Sequence, residues 1–367
     1  MEIIVKNCKR KFYNGIIKFD FDGEGIYVDK KENIYFQVDE EEKKMFFIDE
    51  FEENEEKNLN LEKIENSPEI VKVVENTKNE EVNVFINEEL FTTYHYSEKV
   101  TRPFLNPVIG PDGKSVVRPP ASEGNTENFD HIHHRGILVA HGDVNGTDNW
   151  SEEEGHGKTI HKKFISLISG PVFGKIHSLS DWVNNKGNKI LQEERIITIY
   201  NLPKNIRIID HKIILKATEG EVVFKDTKES GLLSIRVYPS MEVRNGGTMK
   251  NSYGAIGEEE CWGKRANWCD YYGKIDETSC GISVFDFTEN LRYPTYWHIR
   301  DYGLFTANFF GISDFSGDKR KSGTYILPAY QDLKLLHRIY IHSGTTEEGK
   351  VKEMYLNFIY PPKIEIK

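Results

Sequence analysis

The chain has 367 residues, of which 38% are hydrophobic, and a formal net charge of −11. An acidic chain is repelled by nucleic acid phosphates and by anionic membranes, so we expect neither as a partner. No run approaches the ~20 apolar residues that cross a bilayer, and the first residues, MEIIVKNCKRKFY, lack the apolar segment of a signal peptide, which favours a cytoplasmic location.

Short strand-type segments separated by Gly, Asn and Asp turns dominate the chain, and helical periodicity is scarce. Examples are NGIIKFDFDG at 14–23, ERIITIYN at 194–201 and LHRIYIH at 336–342. Many strands with few helices favour two antiparallel sheets packed face to face. We therefore predict a mainly β protein, a large antiparallel β-sandwich with few short helices and one concave face open to a ligand.

The chain divides by composition into two parts. Residues 1–88 are strand-rich, acidic and poor in histidine, which suggests an N-terminal accessory or cap region. Residues 89–367 contain every unusual motif and form the predicted sandwich body. Residues 106–129 have the Pro, Gly and Asn content of a long ordered loop, and such loops are often functional.

The segment DHIHHRG at 130–136 concentrates charged and imidazole side chains. If residues 131–141 run extended, His131, His133 and Arg135 share one face and His134 points to the other. Three interpretations stay open. The histidine pair binds a divalent metal, with His141 or a distant carboxylate completing the site, or it transfers protons, or it packs in a polar crevice.

The segment HGDVNGTDNW at 141–150 follows directly. Asn145 and the next glycine are a strong tight-turn signal. Trp150 is either a core residue or a platform on which a sugar ring stacks.

Two further stretches have a similar composition. In DTKESGLLSIRVYPSME at 226–242, Glu229 is a candidate catalytic carboxylate, with Lys228 and Arg236 as anchoring groups, although local surface ion pairs explain the same pattern. The last stretch is RYPTYWHIRDYGLF at 292–305. In a strand, His298 and Arg300 share one face with Tyr296, and Trp297 and Asp301 lie on the opposite face.

The three stretches combine His, Arg and Asp or Glu with Trp and Tyr. Charged groups bind hydroxyls in forked geometry, and aromatic faces cover the C–H side of a sugar ring. We therefore expect the stretches to meet in one pocket for a neutral polyhydroxylated ligand.

These motifs, together with TRPFLNPVIGPDGKSVVRP and GKRANWCDYYG, resemble the PmoA-like family over about residues 89–362. Particulate methane oxygenase is embedded in the membrane, whereas this chain has no spanning segment, so the resemblance does not imply methane oxidation. It implies a galactose-mutarotase-like β-supersandwich and a role in carbohydrate metabolism. It also implies a functional role for Asp130, His131, His133, His134, Arg135, His141, Asn145, Trp150, Lys228, Glu229, Arg236, His298, Arg300 and Asp301.

The sequence thus predicts a carbohydrate-active enzyme of the glycoside hydrolase or lyase type that cleaves or rearranges a glycoside or an oxidised (keto) sugar. The alternatives are an aldose epimerase-type isomerase and a non-catalytic carbohydrate-binding protein. A divalent metal at His131 and His133 stays open, no nucleotide cofactor motif is present, and no cysteine pair has the C-x-x-C spacing of a zinc ribbon. The predicted catalytic residues are His131, His133, Glu229, His298 and Asp301. The predicted substrate-binding residues are Asp130, His134, Arg135, His141, Asn145, Trp150, Lys228, Arg236, Trp297 and Arg300.

Overall fold

The computed structural model describes residues 1–7, 9–121 and 130–367. The predicted class is confirmed, because the described chain consists mainly of antiparallel strands with a few short helices. The strands before residue 65 are β1 (Glu2–Lys6), β2 (Phe12–Asp20), β3 (Ile26–Asp29), β4 (Ile34–Asp39), β5 (Lys44–Phe51), β6 (Glu56–Asn60) and β7 (Glu62–Ile64).

The later part of the chain contains the longer strands and the helices. Its strands up to residue 216 are β8 (Val71–Asn76), β9 (Glu81–Ile86), β10 (Glu89–His95), β11 (Phe104–Val108), β12 (Ile137–Val144), β13 (Thr147–Asn149), β14 (Lys158–Ile168), β15 (Phe173–Val183), β16 (Lys189–Tyr200) and β17 (Ile206–Lys216). The remaining strands are β18 (Val222–Phe224), β19 (Leu232–Arg236), β20 (Thr248–Asn251), β21 (Trp268–Ile275), β22 (Thr278–Asp286), β23 (Tyr296–Ile299), β24 (Leu304–Asn308), β25 (Tyr325–Leu327), β26 (Asp332–Ser343) and β27 (Lys363–Ile366). The helices are α1 (Gly257–Cys261), α2 (Ile312–Ser316) and α3 (Val351–Ile359), and none in the described residues is long and apolar enough to cross a membrane.

Two large antiparallel sheets face each other in the body of the molecule. The front sheet has the order β23-β24-β19-β12-β11-β10-β9-β8, and the back sheet has the order β14-β15-β16-β17-β26-β22-β21-β20. Alternate residues of each strand point into the space between the sheets. Val139 and Ile235 of the front sheet share one buried cluster with Ile209 and Ile339 of the back sheet. The main core therefore lies between the sheets, and the outer face of the front sheet is left for other groups.

The N-terminal strands form two further sheets, one of which also contains the C-terminal strand β27. Strands β2-β5-β4-β3-β7 form one sheet and β27-β1-β6 form another, around a separate apolar cluster that includes Phe36 and Phe47. Strands β8 and β9, however, pair with each other and with β10 in the front sheet. The boundary between the sheets therefore falls between Ile64 and Val71, earlier than the composition boundary at residue 88. The accessory role of the N-terminal part stays a prediction.

The N-terminal strands dock on the outer face of the back sheet. The rings of Phe46 and Phe173 contact each other with centroids 5.2 Å apart. Beside them, the buried Nζ of Lys175 lies 2.8 and 2.9 Å from the two carboxylate oxygens of Asp39 and 2.7 Å from Oε2 of Glu41. Charges removed from water are tolerated only when they are paired in this way.

The Lys175 ion pair gives a test of this docking. Lys175→Met leaves the buried Asp39 carboxylate without its cation, so we expect the free energy of unfolding to fall by about 3–5 kcal/mol. The control Lys204→Met removes an exposed ion pair with Glu89 and is expected to cost at most about 1 kcal/mol. Urea unfolding of both variants measures the difference, and equal losses would contradict a stabilising role for the buried pair.

Candidate functional site

A row of polar side chains crosses the outer face of the front sheet. His298 on β23 pairs with Thr306 on β24, and Thr306 pairs with Ser234 on β19. The Thr306 hydroxyl donates to Oγ of Ser234 at 3.0 Å. Arg236 lies two residues beyond Ser234 on the same face, and all four side chains are buried. Buried polar side chains on the face away from the core need a structural or functional reason.

The histidine segment beside this row does not run as a strand, and the expected alternation is wrong. Strand β12 begins only at Ile137. The backbone N–H of His134 donates to the His131 carbonyl at 3.0 Å, and His131 has a φ of 48°, so the segment turns. The side chains of His131, His133 and Arg135 therefore do not share one strand face.

The guanidinium group of Arg118 binds the backbone of this turn. Its guanidinium donates to the carbonyl oxygens of Asp130 at 2.9 Å, His131 at 2.7 Å and His134 at 3.2 Å. Carbonyls held by a side chain are not available for a β ladder. Arg118 belongs to the predicted loop 106–129, whose residues 122–129 lie outside the described residues. Its role had no signal in the sequence, because loop position alone does not give the partner.

Arg236 joins the histidine turn to the sheet. Its buried guanidinium lies 2.9 and 3.1 Å from the two carboxylate oxygens of Asp130, 3.0 Å from Nδ1 of His134 and 3.2 Å from Oε1 of Glu242. Together with Arg118, it holds the pKa of the Asp130 carboxyl below its usual range, against the opposing effect of burial. A planar guanidinium presents five N–H donors from three nitrogens in a fixed fork, whereas the three donors of an ammonium group all start from a single nitrogen.

A column of rings then connects the turn to the third predicted stretch. The His131 ring is parallel to that of His134 at 4.8 Å and to that of Tyr302 at 5.3 Å. The guanidinium groups of Arg236 and Arg300 lie 4.9 and 5.3 Å from the centre of the Tyr302 ring. Tyr302 therefore contacts one residue from each of the three stretches, namely His131, Arg236 and Arg300. Tyr302 lies in the motif RYPTYWHIRDYGLF but was not among the predicted site residues.

The rings of Trp150 and His133 pack against His134 of this column. Trp150 is buried in an apolar cluster with Leu138, and its ring lies 4.9 Å from the rings of both His133 and His134. Burial, reinforced by the charge of Arg102, lowers the pKa of His133 to about 4. His133 is therefore a neutral imidazole at neutral pH.

His298 presents a free lone pair on this face. Its Nδ1 lies 2.7 Å from the Lys228 carbonyl oxygen, which can only accept, so Nδ1 must hold the proton of the neutral ring. Burial lowers the pKa of His298 to about 4, although the Glu229 carboxylate opposes this shift, so the ring is neutral at pH 7. Its Nε2 is buried and has no partner among the described residues, and it is therefore an unused proton acceptor.

His134 has the opposite tautomer. Its Nδ1 lies 3.0 Å from the Arg236 guanidinium, which can only donate, so Nδ1 is the acceptor and Nε2 holds the proton. Burial, strengthened by the charges of His133 and Arg236, lowers the pKa of His134 well below its usual value. The Nε2–H is buried without a partner in the described part of the chain, and it is therefore an unused donor.

Above these buried groups lies a solvent-facing rim. The side chains of Lys228 and Glu229 are each 40% exposed and form an ion pair, and those of His131 and Asp130 are 45% and 37% exposed. The charge of Glu229 acts on both His298 and Tyr302. The structure thus brings the three stretches together on one face, with charged groups at the rim and neutral imidazoles beneath.

Arg300 also lies at this rim. Its Nε is 3.0 Å from Oε1 of Glu258, at the start of α1. The Glu258 carboxylate also accepts the backbone N–H of Asp301 at 2.6 Å, which fixes the turn between β23 and β24. Glu258, like Glu242, had no sequence signal, because its importance depends on a contact between distant segments.

Two predicted residues lie in or near the hairpin after β12 and bind the backbone. The buried His141 ring lies 3.2 Å from the Ser230 carbonyl and 2.9 Å from the Lys225 carbonyl, and burial lowers its pKa to about 4. It clamps the segment that contains Glu229. Asn145 has a φ of 53°, and its Oδ1 accepts the Val223 N–H at 2.7 Å, which fits the predicted turn.

Three other predicted residues point away from the buried histidines or are already paired. Trp297 is fully buried in the main core, and its Nε1–H donates to the Ala266 carbonyl at 2.9 Å. Asp301 lies at an exposed turn. Arg135 forms a two-point ion pair with Glu152 at 2.7 and 2.9 Å. The catalytic role predicted for Asp301 and the substrate-binding roles predicted for Trp297 and Arg135 stay predictions.

No group of three or more His, Cys, Asp and Glu side chains among the described residues is arranged to hold a metal ion. The ring centroids of His131 and His133 are 5.9 Å apart, and the ring planes are nearly perpendicular at 81°. A divalent metal at this pair stays an untested part of the sequence prediction.

These features define a mainly β protein with an imidazole-rich candidate site on the outer face of one large sheet. The chain belongs to DUF6807, described as a family of unknown function, whose model matches residues 81–355. This family match does not support the PmoA name suggested by the sequence resemblance. No curated protein matches the chain.

Several solved structures are similar to part of the fold. Galactose 1-epimerase from Lactobacillus acidophilus NCFM has 7% identity and a TM-score of 0.36, over 75% of this chain and 98% of that chain. A GalM/aldose epimerase homologue from C. elegans has 9% identity and a TM-score of 0.32, over 75% and 98%. A mutant of heparan sulfate lyase HepC from Pedobacter heparinus has 8% identity and a TM-score of 0.28, and although 72% of this chain is covered, it spans only 30% of that chain. At these TM-scores and identities, the likeness carries no argument about function.

Arg236→Lys tests the central contact of the site. The single nitrogen of an ammonium group cannot take the positions of both guanidinium nitrogens that contact His134 on one side and Asp130 and Glu242 on the other, so we expect a loss of about 2 kcal/mol or more in the free energy of unfolding. The control Arg244→Lys changes an exposed cation that pairs with the same Glu242, and its expected cost is at most about 1 kcal/mol. If urea unfolding gives equal, small losses, Arg236 does not hold the site together.

The neutral histidines predict how stability depends on pH. His133, His141 and His298 have folded pKa values of about 4, below the unfolded value of 6.5. The unfolded chain therefore binds more protons between these limits. Stability is at its maximum above pH 6.5 and falls as the pH drops towards 4, by up to about 1.4 kcal/mol per pH unit for each histidine.

Asp286 provides a control of opposite sign. Burial raises its pKa to about 7, so in the same window the folded state holds a proton that the unfolded state has lost, which offsets one histidine. Asp286→Asn should therefore steepen the fall in stability between pH 6.5 and 4. Urea unfolding at several pH values measures both slopes, and a wild-type stability that rises on acidification would contradict the neutral histidines.

Proposed function

We propose that the chain is a carbohydrate-active enzyme that transfers protons to and from a sugar bound on the outer face of the front sheet. One observation is the main support. Two buried neutral imidazoles each have one ring nitrogen without a hydrogen-bond partner among the described residues. The free nitrogen of His298 is an acceptor, and that of His134 is an N–H donor. An acceptor and a donor on one face are what general acid–base chemistry requires.

The surrounding residues supply the other roles. Glu229 lies close enough to His298 for its charge to favour the imidazolium that forms when Nε2 accepts a proton. The Lys228 carbonyl holds the required tautomer in the way that a carboxylate or carbonyl does in other acid–base sites. Arg236 does the same for His134. Of the predicted catalytic residues, His298 and Glu229 therefore take the central roles, while His131 and His133 position the column.

The rim suits a polyhydroxylated ligand. Asp130 and Glu229 supply acceptors, whereas Lys228 and Arg300 supply donors, and each of these charges has an opposite neighbour. A balanced set of charges favours a neutral ligand that binds through hydroxyl groups over a strongly charged one. The aromatic groups of the site supply apolar surface for the C–H side of a sugar ring.

A cytoplasmic location is part of the same proposal. Cys261, Cys269 and Cys280 are buried free thiols, which suits a reducing compartment.

His298→Asn tests the enzyme proposal. Asparagine can keep a donor to the Lys228 carbonyl but has no group in place of Nε2, so we expect turnover to fall by about 100-fold or more. The matched control is His161→Asn, because burial also lowers the pKa of His161 to about 4 while the residue lies on strand β14 of the back sheet and not on the front sheet.

The measurement is product formation from a panel of glycosides and keto-glycosides, followed by chromatography. Sugar binding without any product from wild-type protein would favour the non-catalytic carbohydrate-binding alternative. Full activity of His298→Asn would exclude His298 as the base.

An acid–base pair also serves an aldose epimerase-type isomerase. Faster mutarotation of α-glucose, followed by optical rotation, would identify that activity.

A further inference from the structure

We propose that the substrate of this site is an oxidised sugar, with a ketone beside the C–H bond that His298 breaks, and that the reaction is a β-elimination through an enolate. This inference rests on the proposed function and narrows it from sugars in general to keto sugars. It also adds Tyr302 as a substrate-contacting residue.

The carboxylates of the site argue against plain glycoside hydrolysis. Hydrolysis of a glycoside by two carboxyl groups requires one of them to be protonated, and therefore to have a raised pKa. Asp130 is bound by both Arg118 and Arg236, which lower its pKa. Glu229 is paired with Lys228. Both carboxylates are therefore already engaged by cations.

The properties of His298, in contrast, suit the removal of a proton from a carbon atom beside a ketone. His298 is neutral and its Nε2 is free, but burial opposes its charged form, so it is a weak base. A weak base removes a proton from carbon only where the resulting charge is delocalised, as beside a ketone. An unoxidised sugar carbon has no such stabilisation.

Donors for the enolate oxygen lie on the same face. The hydroxyl of Tyr302 has no hydrogen-bond partner among the described residues, and its ring contacts His131 and the guanidinium groups of Arg236 and Arg300. Burial raises the pKa of Tyr302, so it stays a protonated donor at neutral pH. The Nε2–H of His134 is the second donor. Fixed donors aimed at developing negative charge are the main source of such stabilisation in enzymes.

The proton and electron balance is complete without a further reactant. His298 Nε2 takes the proton from the carbon between the ketone and the anomeric carbon. The C–H electron pair forms the enolate double bond, and the ketone oxygen takes the negative charge beside Tyr302 and His134. When the C=O bond reforms, the alkoxide on the anomeric carbon leaves and takes the proton from the His298 imidazolium. The products are an unsaturated keto sugar and an alcohol.

The test compares methyl β-glucopyranoside with the same glycoside oxidised to a ketone at the third ring carbon. In D2O, proton NMR follows both the methanol released and the exchange of the proton on the carbon beside the ketone. We expect wild-type protein to release methanol from the ketone at least 100-fold faster than buffer alone and to leave the unoxidised glycoside intact. His161→Asn, checked for the wild-type melting temperature, should behave as wild type.

Two variants separate the roles. His298→Asn should abolish both exchange and methanol release. Tyr302→Phe keeps the ring contacts but removes the hydroxyl, so we expect kcat to fall by about 10- to 100-fold with little change in KM. If His298→Asn does not fold, the exchange measured with wild-type protein and with Tyr302→Phe still decides the proposal.

The outcomes distinguish this inference from the proposed function. If methanol is released from the unoxidised glycoside as fast as from the ketone, and the proton beside the ketone does not exchange, the keto-sugar inference is wrong. The proposal of a carbohydrate-active enzyme is then still supported. If neither sugar is bound or changed, and no member of the wider glycoside panel is turned over, the proposed function falls as well. A Tyr302→Phe variant with wild-type kcat would remove Tyr302 from the reaction.

Discussion

The arrangement of the candidate site depends on the buried guanidinium of Arg236. It lies at the end of strand β19, and its partners come from a distant turn (Asp130 and His134) and from a nearby segment (Glu242). Because a guanidinium cannot lose its proton in a protein, His134 must accept through Nδ1 and keep its proton on Nε2. The contacts of Arg236 therefore hold the turn in place and also determine that His134 can act only as a donor through Nε2.

The second tautomer is fixed in a different way. His298 lies within strand β23, and the carbonyl that it meets belongs to the loop before β19. That loop is itself held by His141, which contacts two of its carbonyls, and by the Gly142 N–H, which donates to the Glu229 carbonyl at 2.9 Å. The position of Glu229 is therefore set by backbone contacts, while its carboxylate stays at the rim. Side chains that are fixed by strands and by backbone contacts are held more precisely than side chains on a free loop.

Much of the site could be found from the sequence by composition. The three stretches were identified by their density of His, Arg and acidic residues, and His298, Glu229, Arg236 and His134 do meet on one face. The strand pattern of Tyr296, His298 and Trp297 was also predictable, because alternation in a strand follows from backbone geometry. By contrast, the turn at His131 was missed, because the pattern HIHHRGILVAH fits an extended strand equally well. Arg118, which binds three carbonyl groups of the turn, lies outside the segment and leaves no local signal within it.

The sequence by itself determined the mainly β class and the residues that concentrate the chemistry, since both follow from local patterns of side chains along the backbone. Only the tertiary structure decided which nitrogen of each imidazole is free, that Trp297 faces the core, and that Tyr302, Glu242 and Glu258 join the site. The reason is physical: protonation state and tautomer depend on burial and on partners that are distant in the chain. Those partners meet only when the strands pair.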